Sequence, residues 1–123
     1  MSDDVTFVGT YVIPEGSLDE WRTAIVDMID FVKASVPRLI SFNAYVNDDG
    51  TEATSIYVHP DSASLEQHLE VAASRISAGV RLVQTKRIEL YGSPGDRVVE
   101  RLHRISEMST GFPVTVKAHF YGS

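Results

Sequence analysis

Residues 53–76, ATSIYVHPDSASLEQHLEVAASRI, decide the fold that this sequence predicts. Apolar and polar side chains alternate over the first seven positions, a pattern typical of a half-buried strand. Pro60, Asp61 and Ser62 follow, and residues of these types favour the first turn of a helix. The stretch therefore predicts a strand that leads directly into a helix.

The predicted strand has two chemically different faces. Ile56 and Val58 share one face, while Ser55, Tyr57 and His59 share the other, because successive side chains of a strand point to opposite sides. The aliphatic face is the expected core face. The hydroxyl, phenol and imidazole groups of the second face are the first candidates for function.

The remaining periodicities extend this pattern along the chain. They predict strands at residues 5–13, 39–46, 85–91 and 114–121 and helices at residues 17–36, 61–78 and 96–108, with Pro37 and Gly79 as stop signals. Residues 80–84 fit neither pattern. The first six elements have the βαββαβ order of a ferredoxin-like α+β fold, and a helix and a strand extend it at the C-terminal end.

Composition favours one domain over residues 1–123, since 123 residues with 43% hydrophobic content suit one core. The net charge of −6 opposes binding to nucleic acid, and no apolar run is long enough to span a membrane. The N-terminal residues lack the pattern of a signal peptide, and no cysteine occurs. We therefore expect a cytoplasmic protein.

Strand phase divides the later strands into two sets. The aliphatic set is expected to meet the helices: Ile40, Phe42, Ala44, Ile56, Val58, Ile88, Leu90, Val114 and Val116. The opposite set is polar but rich in aromatic rings: Asn43, Tyr45, Tyr57, His59, Arg87, Glu89, Tyr91, Lys117, His119 and Tyr121. Such a face is better explained by a half-buried surface than by a solvent-facing one.

Three motifs carry a family resemblance. PEGSLDEW after the first strand, DSASLEQHL at the second helix and ELYG at the end of a strand resemble the antibiotic biosynthesis monooxygenase-like members of the dimeric α+β barrel superfamily. The resemblance covers roughly residues 5–92. It implies a homodimer in which two sheets pack face to face around a cavity. It also implies cofactor-independent oxygenation of a small aromatic or quinol-type molecule.

The chain departs from that family at two points. A tryptophan near the end of the third strand and an asparagine on the first strand are both missing. Haem cleavage is therefore not expected. A metal site is not expected either, because the four histidines form no i,i+4 pair on a helix.

The candidate site follows from the strand phase and from the resemblance. His68 matches a histidine that follows the start of the second helix in the family, where it could transfer protons. The candidate catalytic residues are Tyr57, His59 and His68, and the candidate substrate-binding residues are Asn43, Tyr45, Arg87 and Tyr91. The strand residues among them are expected to converge on one pocket at the dimer centre.

Each candidate catalytic residue also has a structural interpretation. His68 borders an apolar helical stripe and could be a packed, hydrogen-bonded residue, while Tyr57 and His59 could equally serve dimer packing. Two functions of different classes remain open. One is a cofactor-independent monooxygenase, and the other is a noncatalytic dimer that binds a small molecule or serves association alone.

Overall fold

The computed structural model describes residues 3–122. The predicted domain also includes Met1, Ser2 and Ser123, which lie outside the described residues. Met1 and Ser2 belong in addition to the N-terminal stretch that lacks the pattern of a signal peptide. The strands are β1 (Val5–Val12), β2 (Ser41–Val46), β3 (Glu52–His59), β4 (Gln84–Gly92) and β5 (Val114–Lys117). The helices are α1 (Leu18–Ser35), α2 (Ser62–Val71), α3 (Ala73–Leu82) and α4 (Asp96–Glu107).

The five strands form one sheet in the order β2-β3-β1-β4-β5. The four strands of the βαββαβ unit pair antiparallel, and β5 adds to β4 in parallel. The ferredoxin-like α+β fold with a C-terminal helix and strand is therefore confirmed. Within residues 3–122, no helix has the length and apolarity needed to cross a membrane.

The segment between β3 and β4 differs from the prediction of one helix that stops at Gly79. Two helices occupy it, separated at Ala72. Residues 80–82 belong to α3, Val83 caps its C-terminal end, and Gln84 begins β4. Ala72 is completely buried in the main core. The helix breaks there without a glycine or proline, and both α2 and α3 pack against α1.

The last strand is also shorter than the predicted residues 114–121. It ends at Lys117, and the following Phe120 and Tyr121 are almost fully exposed. β5 lies at the edge of the sheet and pairs only with β4, and the last pair is Tyr91 with Lys117. The residues after Lys117 therefore alternate in sequence but have no strand to pair with.

The helices cover one face of the sheet, and the main core lies between the two layers. Phe7 from β1, Phe42 from β2 and Leu90 from β4 are all buried in this core. The side chains of β2 and β4 that face the helices are thus the ones that the sequence analysis predicts. Those of β3 are not.

The predicted phase of β3 is wrong by one residue. Tyr57 lies directly opposite Phe7 on one side and Phe42 on the other, and opposed residues of antiparallel strands share a face. Tyr57 and His59 therefore lie under the helices, with exposed fractions of 5% and 0%. Ile56 and Val58 face the opposite way and are only partly buried.

Candidate functional site

The residues of the predicted pocket do not all lie on one face of the sheet. Asn43 and Tyr45 lie on β2, whereas Arg87 and Tyr91 lie on β4. Two strands separate β2 from β4, which corresponds to roughly 14 Å at the usual strand spacing. These four residues share the uncovered face but do not converge, and Tyr57 and His59 lie on the other side of the sheet.

The cavity lies instead between the sheet and the helices, inside a single chain. Its volume is about 350 Å³, at the lower end of the range for small-molecule sites. Exposed residues of α1 and α3, including Asp27 and Ala78, are part of its lining, so it opens between these helices. The deeper wall is mostly apolar and includes Phe7, Trp21, Ile25, Phe42, Leu69, Ile76, Ile88, Leu102 and Phe112.

Tyr57 and His68 form the polar part of one wall of this cavity. The Tyr57 ring stacks on the Phe7 ring, with the two centroids 4.1 Å apart. The centroid of the His68 ring also lies 4.1 Å from that of Tyr57. These aromatic contacts hold both rings in place from the sheet and from α2. Burial raises the pKa of Tyr57 well above its usual value, so the phenol remains neutral.

A hydrogen-bonded chain of three side chains ends at this wall. Nδ1 of His59 is 2.7 Å from Oγ of Ser64, and Nε2 of His59 is 2.9 Å from Nδ1 of His68. His59 and Ser64 are buried behind the cavity, whereas His68 also lines it. Within residues 3–122, Nε2 of His68 has no hydrogen-bond partner, which leaves that nitrogen for a molecule in the cavity.

The start of α2 positions this chain. Asp61 caps the helix by accepting a hydrogen bond from the Ser64 backbone N–H at 2.9 Å, and Arg38 pairs with its carboxylate. The cap fixes Ser64 in the first turn, where its hydroxyl reaches His59. His68, one turn further along the same helix, then meets the other nitrogen of His59.

Burial makes both imidazoles neutral at physiological pH. Burial lowers the pKa of His59 to about 4, and burial together with the neighbouring His59 lowers the pKa of His68 to about 3. The Asp61 carboxylate acts in the opposite direction on the pKa of His59. A proton that enters the pair is therefore better accommodated on His59 than on His68.

Two hydrogen arrangements fit the neutral chain. In one, Ser64 donates to His59 and His59 donates to His68, so that Nε2 of His68 presents an N–H to the cavity. In the other, both bonds run in reverse and Nε2 presents a lone pair. The same three side chains can thus either donate a proton to a bound molecule or accept one.

The sequence analysis identified Tyr57, His59 and His68 but missed Ser64 and the position of the cavity. The spacing of Asp61 and Ser64 is a helix-capping signal, so Ser64 could be placed in the first turn of the helix. Its contact with His59 depends on how α2 packs across β3. Among the residues that the structure describes, histidines and carboxylates form no cluster of three suited to a metal ion.

Comparison with known proteins supports the fold. No family model and no curated protein matches the sequence. The solved structure of MupZ from Pseudomonas fluorescens has a TM-score of 0.77 at 19% identity, over 100% of this chain and 91% of that one.

Two further solved structures match about three quarters of the chain. The cofactor-independent oxygenase SnoaB from Streptomyces nogalater has a TM-score of 0.65 at 18% identity, over 76% of this chain and 96% of that one. A candidate antibiotic biosynthesis monooxygenase from Caulobacter crescentus has a TM-score of 0.64 at 14% identity, over 72% of this chain and 88% of that one. At these identities the likeness establishes a shared fold.

Proposed function

We propose that this chain, which has the fold of the antibiotic biosynthesis monooxygenase-like proteins, binds a small aromatic or quinol-type molecule between its sheet and helices and oxidises it without a cofactor. The observation that carries the proposal is the Ser64–His59–His68 chain, which ends at the wall of an apolar cavity. The apolar wall suits an aromatic ring system. The free nitrogen of His68 suits a phenol or an acidic C–H group.

The chemistry begins with a proton transfer. His68 accepts a proton from the substrate at Nε2 and passes the proton on Nδ1 to His59, whose charge the Asp61 carboxylate stabilises. The resulting carbanion or phenolate is electron-rich enough to react with dioxygen directly. A CH₂ group beside the ring system and one O₂ then give a C=O group and one water, with dioxygen as the electron acceptor.

Tyr57 orients the substrate in this proposal. Its ring is fixed between Phe7 and His68, and its neutral phenol can donate a hydrogen bond to a substrate oxygen. The fold's uncovered sheet face is proposed to form a homodimer, in which Asn43, Tyr45, Arg87 and Tyr91 contribute to association rather than to the substrate pocket.

One observation favours the second candidate function, noncatalytic binding. A histidine with a pKa of about 3 is a weak base at neutral pH, which limits the rate of proton abstraction. A protein with this cavity could therefore hold an aromatic molecule without transforming it. Binding and turnover have to be measured separately.

The test uses a panel of quinols and anthrones in aerated buffer, with oxygen uptake and product absorbance as the readouts. Turnover by the wild type and a loss of at least about tenfold in kcat for His68→Gln are expected, since general base catalysis contributes at least that much. His103→Gln is the matched control, because His103 is exposed on α4. Binding without oxygen uptake would favour the noncatalytic function, and no binding would contradict both.

A further inference from the structure

Tyr11, near the C-terminal end of β1, places a second phenol in the wall of the cavity. A Cβ atom built on Gly9 would lie 2.1 Å from the Tyr11 hydroxyl and 2.7 Å from its Cζ. The Tyr11 ring therefore lies back across the backbone of Gly9. Since Gly9 has no positive φ, this position requires glycine for space and not for backbone conformation.

Ser55 completes a polar group at this point. It lies directly opposite Gly9 on β3 and is buried, so its hydroxyl is beside the Tyr11 phenol, where it acts to lower the pKa of Tyr11. Both residues line the cavity. Burial raises the pKa of Tyr11 to about 12, so the phenol stays protonated and can donate a hydrogen bond at neutral pH.

This polar group and His68 lie at different places along the strands. His68 packs on Tyr57, which is opposite Phe7, whereas the Tyr11 hydroxyl lies over Gly9. Phe7 and Gly9 are two residues apart on β1, which corresponds to roughly 7 Å. Apart from the Tyr57 phenol, which lies near enough to Tyr11 to interact with it, the surrounding wall is mostly apolar.

We propose that Tyr11 and Ser55 form a second hydrogen-bonding subsite, which binds an oxygen function of the ligand at the end opposite His68. The ligand class is then a fused aromatic ring system with a hydroxyl or carbonyl group at each end. This inference rests on ligand binding in the cavity as proposed above, and it adds the second polar contact and its position.

The experiment measures dissociation constants by calorimetry under argon, which prevents turnover. The probes are 1,5-dihydroxynaphthalene and 2,6-dihydroxynaphthalene, with 1-naphthol as the reference. A molecule with one hydroxyl can turn around in the cavity and use either polar end, whereas a diol needs both. Tyr11→Phe should therefore weaken binding of the better diol about tenfold and that of 1-naphthol less than twofold.

Two further variants separate the subsite from a general packing effect. Ser55→Ala should weaken diol binding in the same direction, and Gly9→Ala should abolish the preference for the diol although the Tyr11 phenol is kept, because the new Cβ displaces the ring. Tyr45→Phe is the matched control, since Tyr45 is 54% exposed on β2 and lies on the other face of the sheet.

The outcomes distinguish this inference from the proposed function. If no probe binds to the wild type, ligand binding in the cavity itself is contradicted. If the probes bind but the wild type does not prefer either diol, or Tyr11→Phe affects the diol and 1-naphthol equally, the cavity stands and the second subsite is overturned.

Discussion

At the scale of single residues, the buried His59–His68 pair couples stability to pH. Burial lowers the pKa of these side chains to about 4 and about 3, while each titrates near 6.5 in an unfolded chain. The unfolded state therefore binds protons between these pH values that the folded state does not. Their contribution is fully present above about pH 6.5 and is lost as the pH falls.

We predict that each histidine lowers the free energy of unfolding by about 2 kcal/mol between pH 7 and pH 5. Urea denaturation at the two pH values measures this loss. The double variant His59→Gln/His68→Gln keeps hydrogen-bonding groups but cannot titrate, so its stability should change much less over the same interval. An equal pH dependence for the variant and the wild type would contradict the prediction.

These two residues also define the limit of residue-level prediction. The sequence singles out both histidines and allows a packed, hydrogen-bonded role for His68, but it gives no sign that His59 is the hydrogen-bond partner of His68. The position of His59 under the helices is not predicted, because the pattern assigns the aliphatic Ile56 and Val58 to the core in preference to Tyr57. The register with Phe7 and Phe42 decides otherwise, and register depends on pairing between distant segments.

At the scale of elements, α3 is the least anchored helix. None of its ten residues, all of them described, is buried. Arg75 is its main polar contact with α1: Nε donates to Asp27 at 2.9 Å, and the guanidinium lies 3.7 Å from the Phe31 ring centroid. Helices with few buried contacts open at low free-energy cost, and α3 covers part of the cavity.

We predict that Arg75→Ala increases amide hydrogen exchange in α3 about fivefold, because an exposed ion pair and a cation–π contact together contribute about 1 kcal/mol. Exchange in α2 should stay unchanged. Arg104→Ala is the control, as its ion pair with Glu100 is an exposed i,i+4 pair within α4. Unaltered exchange in α3 would show that Arg75 does not hold the helix in place.

Element prediction was successful where local signals exist. The succession of strands along the chain follows from the alternation of apolar and polar residues. The starts of α2 and α4 follow from Asp61 and Asp96. The break at Ala72 had no local signal, since alanine favours helix interiors. It results from packing of the whole segment, which a window of sequence does not contain.

At the scale of the whole molecule, the uncovered sheet face has an aliphatic centre. Val8 on β1 lies opposite Ile56 on β3, and Val58 pairs with Thr6 beside them. On the β4 and β5 side of this centre lie the Arg87–Glu89 and Lys117–Glu89 ion pairs, so the apolar patch has a charged border there. This composition suits an interface between two copies of the chain.

We predict a homodimer at micromolar concentration, in place of the 13.6 kDa monomer, with more than about 1,200 Å² buried in total. Val8→Lys should convert it to a monomer, because the interface would have to bury an unpaired ammonium group. Val26→Lys is the control, since Val26 is 58% exposed on α1. Light scattering measures the mass, and a monomeric wild type would contradict the interface.

Trp21 gives the cavity an optical property of its own. It is the one tryptophan of the chain, it is only 7% exposed, and it is part of the cavity wall. Its fluorescence should therefore be quenched by a non-emitting quinone such as 1,4-naphthoquinone with a saturable dependence on concentration, whereas free N-acetyltryptophanamide should show a linear one. Occupancy of the cavity can then be followed in real time, without a label and with any quinone that absorbs in the range of tryptophan emission.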